Sequence, residues 1–342
     1  MKVEVILEAG LPESQVEALA VQAEGYGIQT LWVASFPSRR DPVPALVLAA
    51  RATRRIRLGT LPVSPYEVHP LRIADQLLTL NELSGGRATI LIGGLGHSVG
   101  RVTGLQPTRR VTAVRETVSI LKSLRPDATT EFHGELYSLM NYRAEWATQP
   151  APRIYAGATF EKMGRMAAQV ADGTMLSDAP LGRMGEVMGW IGAGLAAVGR
   201  RREDFRINNF MAWHVKRDRA ASIAEARREM IWRGFLLPWF TEPFLGAETA
   251  KFVEEMKPAF LHAFFAKSPQ IDGVPEPVIE QLVEHLTLAG DLSDIERIAG
   301  QIHALGAAGL DEVALRLHDE PQEGLRLIGK HLMPALGIAA AD

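Results

Sequence analysis

Two residues able to carry protons lie where the sequence predicts the ends of strands. Glu8 ends a short run of mostly β-branched residues that begins at Val3, and His97 follows a second apolar run and several glycines. Burial raises the pKa of a glutamate and a histidine titrates near neutrality, which is the range that general acid–base catalysis requires. Glu8 and His97 are therefore the predicted catalytic residues. The alternative for Glu8 is a structural role, as the partner of an arginine or of a backbone group.

A glycine-rich segment at residues 93–100 (GGLGHSVG) directly follows a predicted strand. Its glycines let the backbone approach a flat or phosphorylated ligand closely. The segment is not a Rossmann motif, because its last glycine falls one place late and no acidic residue ends a strand about 20 residues later. Residues 324–331 (GLRLIGKH) lack the Ser or Thr of a P-loop and have helical periodicity. Neither segment therefore predicts a nucleotide-binding fold.

Another predicted strand leads through Gly157, Ala158 and Thr159 into a helix. The N–H groups of a first helical turn have no partner within the helix, and together with the Thr159 hydroxyl they form a natural phosphate site. The alternative is that Thr159 is a plain N-cap residue. The sequence leaves both interpretations open.

The composition excludes several classes of protein. The chain has 342 residues, of which 37 are basic and 40 acidic, and its net charge of −3 gives no basic footprint for nucleic acid. Cysteine is absent, which excludes disulfides, thiolate nucleophiles and cysteine–metal sites. The nine histidines lack zinc-binding spacing, so no metal is expected. Charges at positions 4 and 8 interrupt any signal-peptide core, and no apolar run reaches the roughly 18–20 residues of a membrane span, so we expect a cytoplasmic protein.

An alternation of strand and helix patterns positions these candidate residues. The predicted strands are Val3–Glu8, Ile28–Ser35, Ile56–Thr60, Ala88–Gly93, Arg153–Gly157, Thr174–Ser177, Ile207–Val215 and Glu312–Leu317. Eight such units predict an α/β fold, the (β/α)8 TIM barrel, whose strand C-termini meet at one mouth. Residues 129–146 are expected to form an inserted hairpin or loop. We expect residues 1–342 to be a single domain, with residues 218–309 a largely helical insertion between strands 7 and 8 on the active-site face.

Three segments of the chain resemble the luciferase-like monooxygenase superfamily. They are residues 58–70 (LGTLPVSPYEVHP), 74–87 (ADQLLTLNELSGGR) and 92–96 (IGGLG). Within the superfamily, the chain is most similar to the branch that uses the deazaflavin coenzyme F420, such as methylenetetrahydromethanopterin reductase. Residues 152–159 and 166–173 are similar to the part of that family that runs from the fifth strand to the sixth.

The resemblance implies a TIM barrel with a flavin-like cofactor across the strand C-termini. The implied cofactor contacts are Thr60, Pro62, Val63, Ser64, Gly93, Gly94, Gly96, Gly157, Ala158, Thr159 and Ser177, of which the last four contact phosphate. The family often has a non-prolyl cis peptide after strand 3, and the matching position here is Pro62–Val63. His97 stands where the reductase branch commonly has an acidic residue. Residues 34–37 (ASFP) replace the catalytic histidine of the sugar-phosphate dehydrogenases.

The sequence therefore predicts an oxidoreductase that transfers a hydride between F420 and a small organic substrate. Ser35, Phe36 and Tyr66 are the predicted substrate contacts, and they favour an apolar or ring-bearing molecule. With FMN in place of F420, the chain would be a two-component monooxygenase that has a flavin reductase as its partner. A second alternative is a non-catalytic flavin-binding barrel. The resemblance also implies a homodimer.

Overall fold

Eight parallel strands form the centre of the protein in the computed structural model, which describes residues 1–338 apart from the side chains of His97 and Ser98. The strands, including three short ones outside the ring, are β1 (Lys2–Leu7), β2 (Thr30–Ala34), β3 (Arg57–Val63), β4 (Ala88–Ile92), β5 (Thr130–His133), β6 (Ser138–Tyr142), β7 (Arg153–Gly157), β8 (Gly173–Ser177), β9 (Arg206–Trp213), β10 (Thr287–Leu288) and β11 (Glu312–Leu317). The ring runs β11-β1-β2-β3-β4-β7-β8-β9 and closes where β9 pairs with β11. The predicted (β/α)8 barrel is confirmed.

Helices surround the ring and connect its strands. They are α1 (Glu13–Gly25), α2 (Pro42–Ala52), α3 (Pro70–Ser84), α4 (His97–Thr103), α5 (Arg110–Ser123), α6 (Glu161–Val170), α7 (Met184–Ala196), α8 (Arg219–Arg228), α9 (Pro238–Leu245), α10 (Ala247–Glu255), α11 (Lys257–Phe265), α12 (Glu276–Leu286), α13 (Ile295–Ala307), α14 (Pro321–Leu327) and α15 (Met333–Ala335). Local signals set several of their ends. Asp41 caps α2 with Pro42 in its first turn, and α3 ends at Gly85, whose positive φ suits glycine.

Two segments interrupt the regular alternation. β5 and β6 pair antiparallel, which confirms the expected hairpin after α5. Between β9 and β11 the chain forms α8 to α12, then β10, then α13. The buried side chains of Phe240 and Phe260 belong to an apolar cluster of this region that is separate from the main core. β10 pairs with the last two residues of β9, beyond the point where β8 ends.

Side chains alternate between the two faces of each barrel strand. In β1, Val3 and Val5 pack in the apolar layer between strands and helices. Because successive side chains of a strand point to opposite faces, Glu4, Ile6 and Glu8 face the interior of the barrel. Glu4 and Glu8 therefore point into the same interior from positions two pleats apart.

An apolar layer divides the barrel interior into two polar regions. It consists of Ile6, Trp32, Leu61, Leu91, Tyr155, Met175 and Ala314. We name the region on the N-terminal side of this layer the base, which contains Glu4 and Glu312. The region on the C-terminal side is the mouth, which contains Glu8 and Arg316.

The base buries a carboxyl group among neutral hydrogen-bond donors. Thr30 Oγ1 donates to Glu4 at 2.6 Å, and Trp32 Nε1 and Asn208 Nδ2 each donate at 2.7 Å. Burial, together with the negative charge of Glu312, raises the pKa of Glu4 to about 7 despite these hydrogen bonds. Glu4 therefore keeps its proton to a higher pH than a carboxyl group in water does.

Candidate active site

Glu8 follows β1 at the mouth and forms a bidentate ion pair. Arg316 Nε and Nη2 donate to its two oxygens at 2.6 and 2.8 Å, and His318 Nδ1 lies 3.1 Å from Oε1. Burial opposes ionisation of Glu8, but the charge of Arg316 and the hydrogen bonds outweigh it and hold the pKa of Glu8 well below its ordinary value. The expected upward shift of this pKa is wrong, because β11 supplies a cation at this point.

Two stacked histidines extend the cluster around Glu8. The ring centroids of His318 and His214 are 4.6 Å apart, with 12° between the ring planes, and His214 Nδ1 lies 2.8 Å from Glu225 Oε1. Burial lowers the pKa of both imidazoles, so both are neutral at pH 7. Each ring contacts a carboxylate through Nδ1, which leaves Nε2 as an acceptor. Neither Nε2 has a hydrogen-bond partner within residues 1–338.

A second arginine reaches the mouth from the segment between α8 and α9. Arg233 is fully buried, and its Nη1 donates to Asp178 Oδ1 at 3.0 Å. The backbone N–H of Gly234 and the hydroxyl of Ser177 both donate to Asp178 Oδ2, at 3.1 Å each. Ser177, a predicted phosphate contact, is thus half-buried with its hydroxyl engaged by Asp178.

The end of β3 bulges against the glycines that follow β4. The pairing register shifts between Thr60 and Val63, and the Gly93 N–H donates to the Val63 carbonyl at 2.9 Å. A Cβ on Gly93 would lie 2.9 Å from Pro62 Cβ, so this approach requires glycine. The Pro62–Val63 bond is trans, like every peptide bond between the described residues. The expected cis peptide is wrong, because the bulge accommodates the extra residue within trans geometry.

Two other predicted cofactor contacts near this bulge, Thr60 and Ser64, have side chains that are buried within the protein. β3 extends beyond its predicted end at Thr60, which lies on the same face as Leu58 in the layer against the helices. Thr60 is therefore buried away from the mouth. Ser64 is also buried, and its Oγ accepts the Tyr66 N–H at 3.3 Å. Ser64 thus shapes the turn that carries Tyr66.

The three predicted substrate contacts line one cavity. Ser35, Phe36 and Tyr66 share a cavity of about 480 Å³ with Thr103 and Leu105, which follow the glycine-rich segment. The other lining residues are Pro37, Arg39, Arg40, Asp41, Pro42 and Glu67. Small-molecule sites have volumes of roughly 300–1,000 Å³ and combine apolar walls with a few polar groups. The structure thus brings these three residues together in a space suited to a small ligand.

The predicted phosphate contacts precede α6. Gly157 ends β7, Ala158 is buried with its N–H donated to the backbone of β8, and Thr159 is half-buried in the turn. α6 begins at Glu161 with Phe160 as its N-cap residue, and the Phe160 side chain makes no capping hydrogen bond. The N-cap alternative for Thr159 is therefore wrong. The backbone N–H groups of the first turn of α6 have no hydrogen-bond acceptor within the helix.

His97 begins α4 directly after the glycines. Gly96 is the exposed N-cap residue of this helix, and Gly94 lies against α5, where a Cβ would be 3.3 Å from Arg110 Cβ. The side chain of His97 lies outside the part of the chain that the structure describes. Its catalytic role stays a prediction.

The sequence predictions did not include three residues of the mouth. Glu312 and Arg316 lie on the interior face of β11, and His318 follows the strand on the same face. The apolar Ala314 separates Glu312 from Arg316, so these polar residues were only a partial signal that the strand points charge into the barrel. Arg233 had no such signal, because it lies in an irregular segment that only the fold brings over the barrel.

Residues 1–338, side chains of His97 and Ser98 aside, contain no group of three or more His, Asp or Glu side chains placed to hold a metal ion. Within the same residues, no helix is both long and apolar enough to cross a membrane.

Similarity to known proteins decides the family. The family model described as luciferase-like monooxygenase matches residues 6–312, from β1 to the first residue of β11. The chain belongs to the luciferase-like monooxygenase family. This confirms the resemblance found in residues 58–96, and it makes this family member an oxidoreductase.

A curated relative matches this family member over nearly its whole length. It is the 5,10-methylenetetrahydromethanopterin reductase of Archaeoglobus fulgidus, which is 27% identical over 329 residues. The match covers 94% of this chain and 96% of the relative.

Several solved structures share the fold of this chain. The coenzyme F420-dependent tetrahydromethanopterin reductase of Methanopyrus kandleri aligns with a TM-score of 0.80 at 20% identity, covering 98% of this chain and 100% of that one. An F420-dependent secondary alcohol dehydrogenase aligns with a TM-score of 0.76 at 18% identity, covering 98% and 99%. An FMN-bound type II Baeyer–Villiger monooxygenase from Pseudomonas putida also aligns, with a TM-score of 0.64 at 18% identity and complete coverage of both chains.

Proposed function

We propose that this family member transfers a hydride between coenzyme F420 and a small organic substrate. The observation that carries the proposal is the uncapped first turn of α6 beside Thr159, which offers backbone N–H groups to a phosphate at the end of a barrel strand. The coenzyme F420-dependent reductase of Methanopyrus kandleri, which aligns over 98% of this chain, favours a deazaflavin as the molecule that carries this phosphate.

The residues around the mouth suit such a cofactor. Thr159 and the first turn of α6 would hold its phosphate, and the bulge at Val63 with the glycines at 93 and 94 would lie along its ring. The glycine required at Gly93 keeps this wall flat, since a side chain there would collide with Pro62. When bound, a deazaflavin accepts or donates a hydride at C5 of its ring. The protein supplies binding, orientation and electrostatics.

Glu8 contributes a fixed charge to this site. Its pKa lies well below the ordinary value, so it stays ionised at neutral pH and orients Arg316 and His318. An ionised carboxylate of this kind accepts hydrogen bonds and holds no proton to give. We therefore assign proton transfer to His97 and assign to Glu8 the electrostatic positioning of the mouth.

The apolar part of the substrate would occupy the cavity beside Ser35, Phe36 and Tyr66. Its lining includes the aromatic residues Phe36 and Tyr66 and the basic residues Arg39 and Arg40. This side of the mouth adjoins the glycine-rich segment, because Thr103 and Leu105 line the same cavity. Substrate and cofactor would then meet between α4 and the bulge of β3.

Absorbance titrations of the purified protein with F420 and FMN, side by side, test the proposal. We expect F420 to bind with micromolar or tighter affinity and FMN to bind at least tenfold more weakly, a difference of about 1.4 kcal/mol. No substrate-dependent uptake of O₂ is expected, because a deazaflavin carries hydride and is nearly inert to O₂.

The alternative function is that of an FMN-dependent two-component monooxygenase, and the FMN-bound structural relative favours it. Tight FMN binding, with O₂ consumption once a flavin reductase is added, would establish this alternative and exclude the proposed hydride transfer to F420. Tight retention of either cofactor without any turnover would instead indicate a non-catalytic flavin-binding barrel.

A further inference from the structure

Two arginines at the mouth use the same edge of their guanidinium groups differently. The guanidinium carbons of Arg316 and Arg233 lie 5.6 and 5.2 Å from the ring centroid of Phe210. Arg316 commits its Nε and Nη2 edge to Glu8, with one carboxylate oxygen on each nitrogen. Arg233 donates through Nη1 to Asp178. Its Nε and Nη2 are buried and have no hydrogen-bond partner within residues 1–338.

An unpartnered guanidinium edge inside a protein calls for an acceptor. Buried donors are nearly always hydrogen-bonded, and each exception needs an explanation. Nε and Nη2 present two parallel N–H groups, which match the two oxygens of a carboxylate or phosphate. Asp178 is unable to serve this edge as well, since its oxygens already accept from Arg233 Nη1, Gly234 and Ser177.

The three residues that follow Arg233 have an unusual backbone conformation. Gly234, Phe235 and Leu236 all have a positive φ, of 54°, 50° and 50°. A Cβ on Gly234 would lie 2.3 Å from the ring of Phe240, so this position requires glycine. Strained segments of this kind concentrate at ligand-binding and catalytic sites.

We propose that Arg233 is the anion-binding residue of the active site and that the substrate carries a carboxylate or phosphate group. The choice of the substrate as ligand rests on the proposed hydride transfer, in which the cofactor phosphate already has its place at α6. The bound oxyanion accepts from Nε and Nη2 of Arg233, while Nη1 keeps its ion pair with Asp178. Because both nitrogens are shielded from solvent, binding includes a local movement of the half-buried Phe210 ring.

Thermal unfolding with acetate or inorganic phosphate, without cofactor and at constant ionic strength, tests the proposal. Either anion should stabilise the protein saturably at concentrations up to about 100 mM, while chloride should not. Arg233→Lys keeps the charge beside Asp178 but loses the parallel N–H pair, and it should weaken anion binding at least tenfold. Arg202→Lys is the matched control. Arg202 is fully engaged by Phe205, Gly309 and Asp311, so this variant should bind the anion like the wild type.

The outcomes separate this proposal from the proposed function. Absence of saturable binding to the wild type, or equal binding by Arg233→Lys, would overturn the anion site. If Arg233→Lys fails to fold, the double variant Asp178→Asn/Arg233→Met removes both buried charges and should also lose anion binding. If the part of the anion binding that Arg233→Lys removes competes with F420, the assignment to the substrate is overturned; competition that persists in Arg233→Lys belongs to the phosphate site at α6 and does not support the Arg233 site. Failure of F420 itself to bind would contradict the proposed function and leave the anion result unaffected.

Discussion

Glu4 lies in β1 and Glu8 directly follows its last residue, and both point into the interior of the barrel, but their pKa values are shifted in opposite directions. At the base, burial and the charge of Glu312 raise the pKa of Glu4 to about 7. At the mouth, Arg316 outweighs burial and holds the pKa of Glu8 well below its ordinary value. Glu4 accepts three hydrogen bonds and Glu8 accepts two, with His318 Nδ1 at 3.1 Å as a further contact, so the number of hydrogen bonds does not explain why the pKa of Glu4 rises and that of Glu8 falls. A cation on the carboxylate decides this difference.

The base and the mouth of the barrel also differ in their exposure to solvent. The base is closed, and Glu4 and Glu312 are both fully buried there. At the mouth, the side chains of Glu8 and Arg316 keep exposed fractions of 33% and 27%. We therefore expect changes at the base to alter stability alone, and changes at the mouth to alter ligand binding as well.

Glu4→Gln should give the largest effect, on the pH dependence of stability. The unfolded chain loses the Glu4 proton near its ordinary value of 4.5, while the folded barrel keeps it until about pH 7. The folded state therefore binds more protons in this window, and its free energy of unfolding falls by about 3 kcal/mol as the pH rises from 4.5 to 7. Glutamine has no proton to lose, so the free energy of unfolding of the variant should not show this decrease. Urea unfolding across the window should show a flatter profile for the variant.

Glu8→Gln is the matched control for that experiment. Because the folded-state pKa of Glu8 is lowered, its contribution is present above the unfolded value and disappears as the pH falls through the folded one. The variant should therefore lose stability at neutral pH rather than gain it. Parallel profiles for the two variants would contradict the contrast between base and mouth.

Arg316→Met should destabilise the protein by about 2–3 kcal/mol at neutral pH, between the costs of breaking an exposed and a buried ion pair. The reason is that Glu8 would be left ionised and largely unpaired. The double variant Glu8→Gln/Arg316→Met should recover part of this stability, since it leaves no unpaired charge. Urea unfolding of the three proteins measures the coupling, and additive effects would refute it. The single variant Arg316→Met should also bind F420 more weakly, as measured by titration.

Thr159→Val tests the other side of the mouth and should weaken cofactor binding by about 1–3 kcal/mol, the cost of leaving a charged acceptor one donor short. Its melting temperature should change little, because Thr159 caps no helix. Thr117→Val is the control, as the Thr117 hydroxyl donates to the Ala113 carbonyl inside α5. That variant should lose stability and bind the cofactor normally. The reverse pattern would place the phosphate elsewhere.

Gly93→Ala should have the smallest effect, a loss of about 1 kcal/mol in stability, because the new Cβ presses on the exposed ring of Pro62. Gly157→Ala is the control on the neighbouring strand, where a Cβ would meet only the Ile92 carbonyl at an ordinary 3.7 Å. Chemical unfolding of both variants measures the difference in stability. An effect on Gly157→Ala as large as on Gly93→Ala would show that the bulge imposes no special limit.

Individual residues show how far sequence reasoning about the site reaches. Ser35 and Phe36 were placed at a strand end and Tyr66 on a loop, and the three residues line one cavity, while their contact with a substrate stays a prediction. Thr60 was assigned to the mouth as the predicted end of the third strand, but β3 runs past it and its side chain faces the helices. An extension of three residues is beyond what a single sequence specifies, because a bulge depends on the neighbouring strand.

The sequence by itself determined the barrel, the family and the placement of Glu8 at the mouth, since periodicity, glycine positions and strand ends are local properties of the chain. Only the tertiary structure decided the charge that Glu8 carries, because its partner Arg316 is 308 residues away. The same holds for Arg233, which an irregular segment delivers to Asp178 across 55 residues of sequence. The energy of a Coulombic interaction depends on the distance between the charges in space. The sequence does not specify this distance, which is set only when the chain has folded.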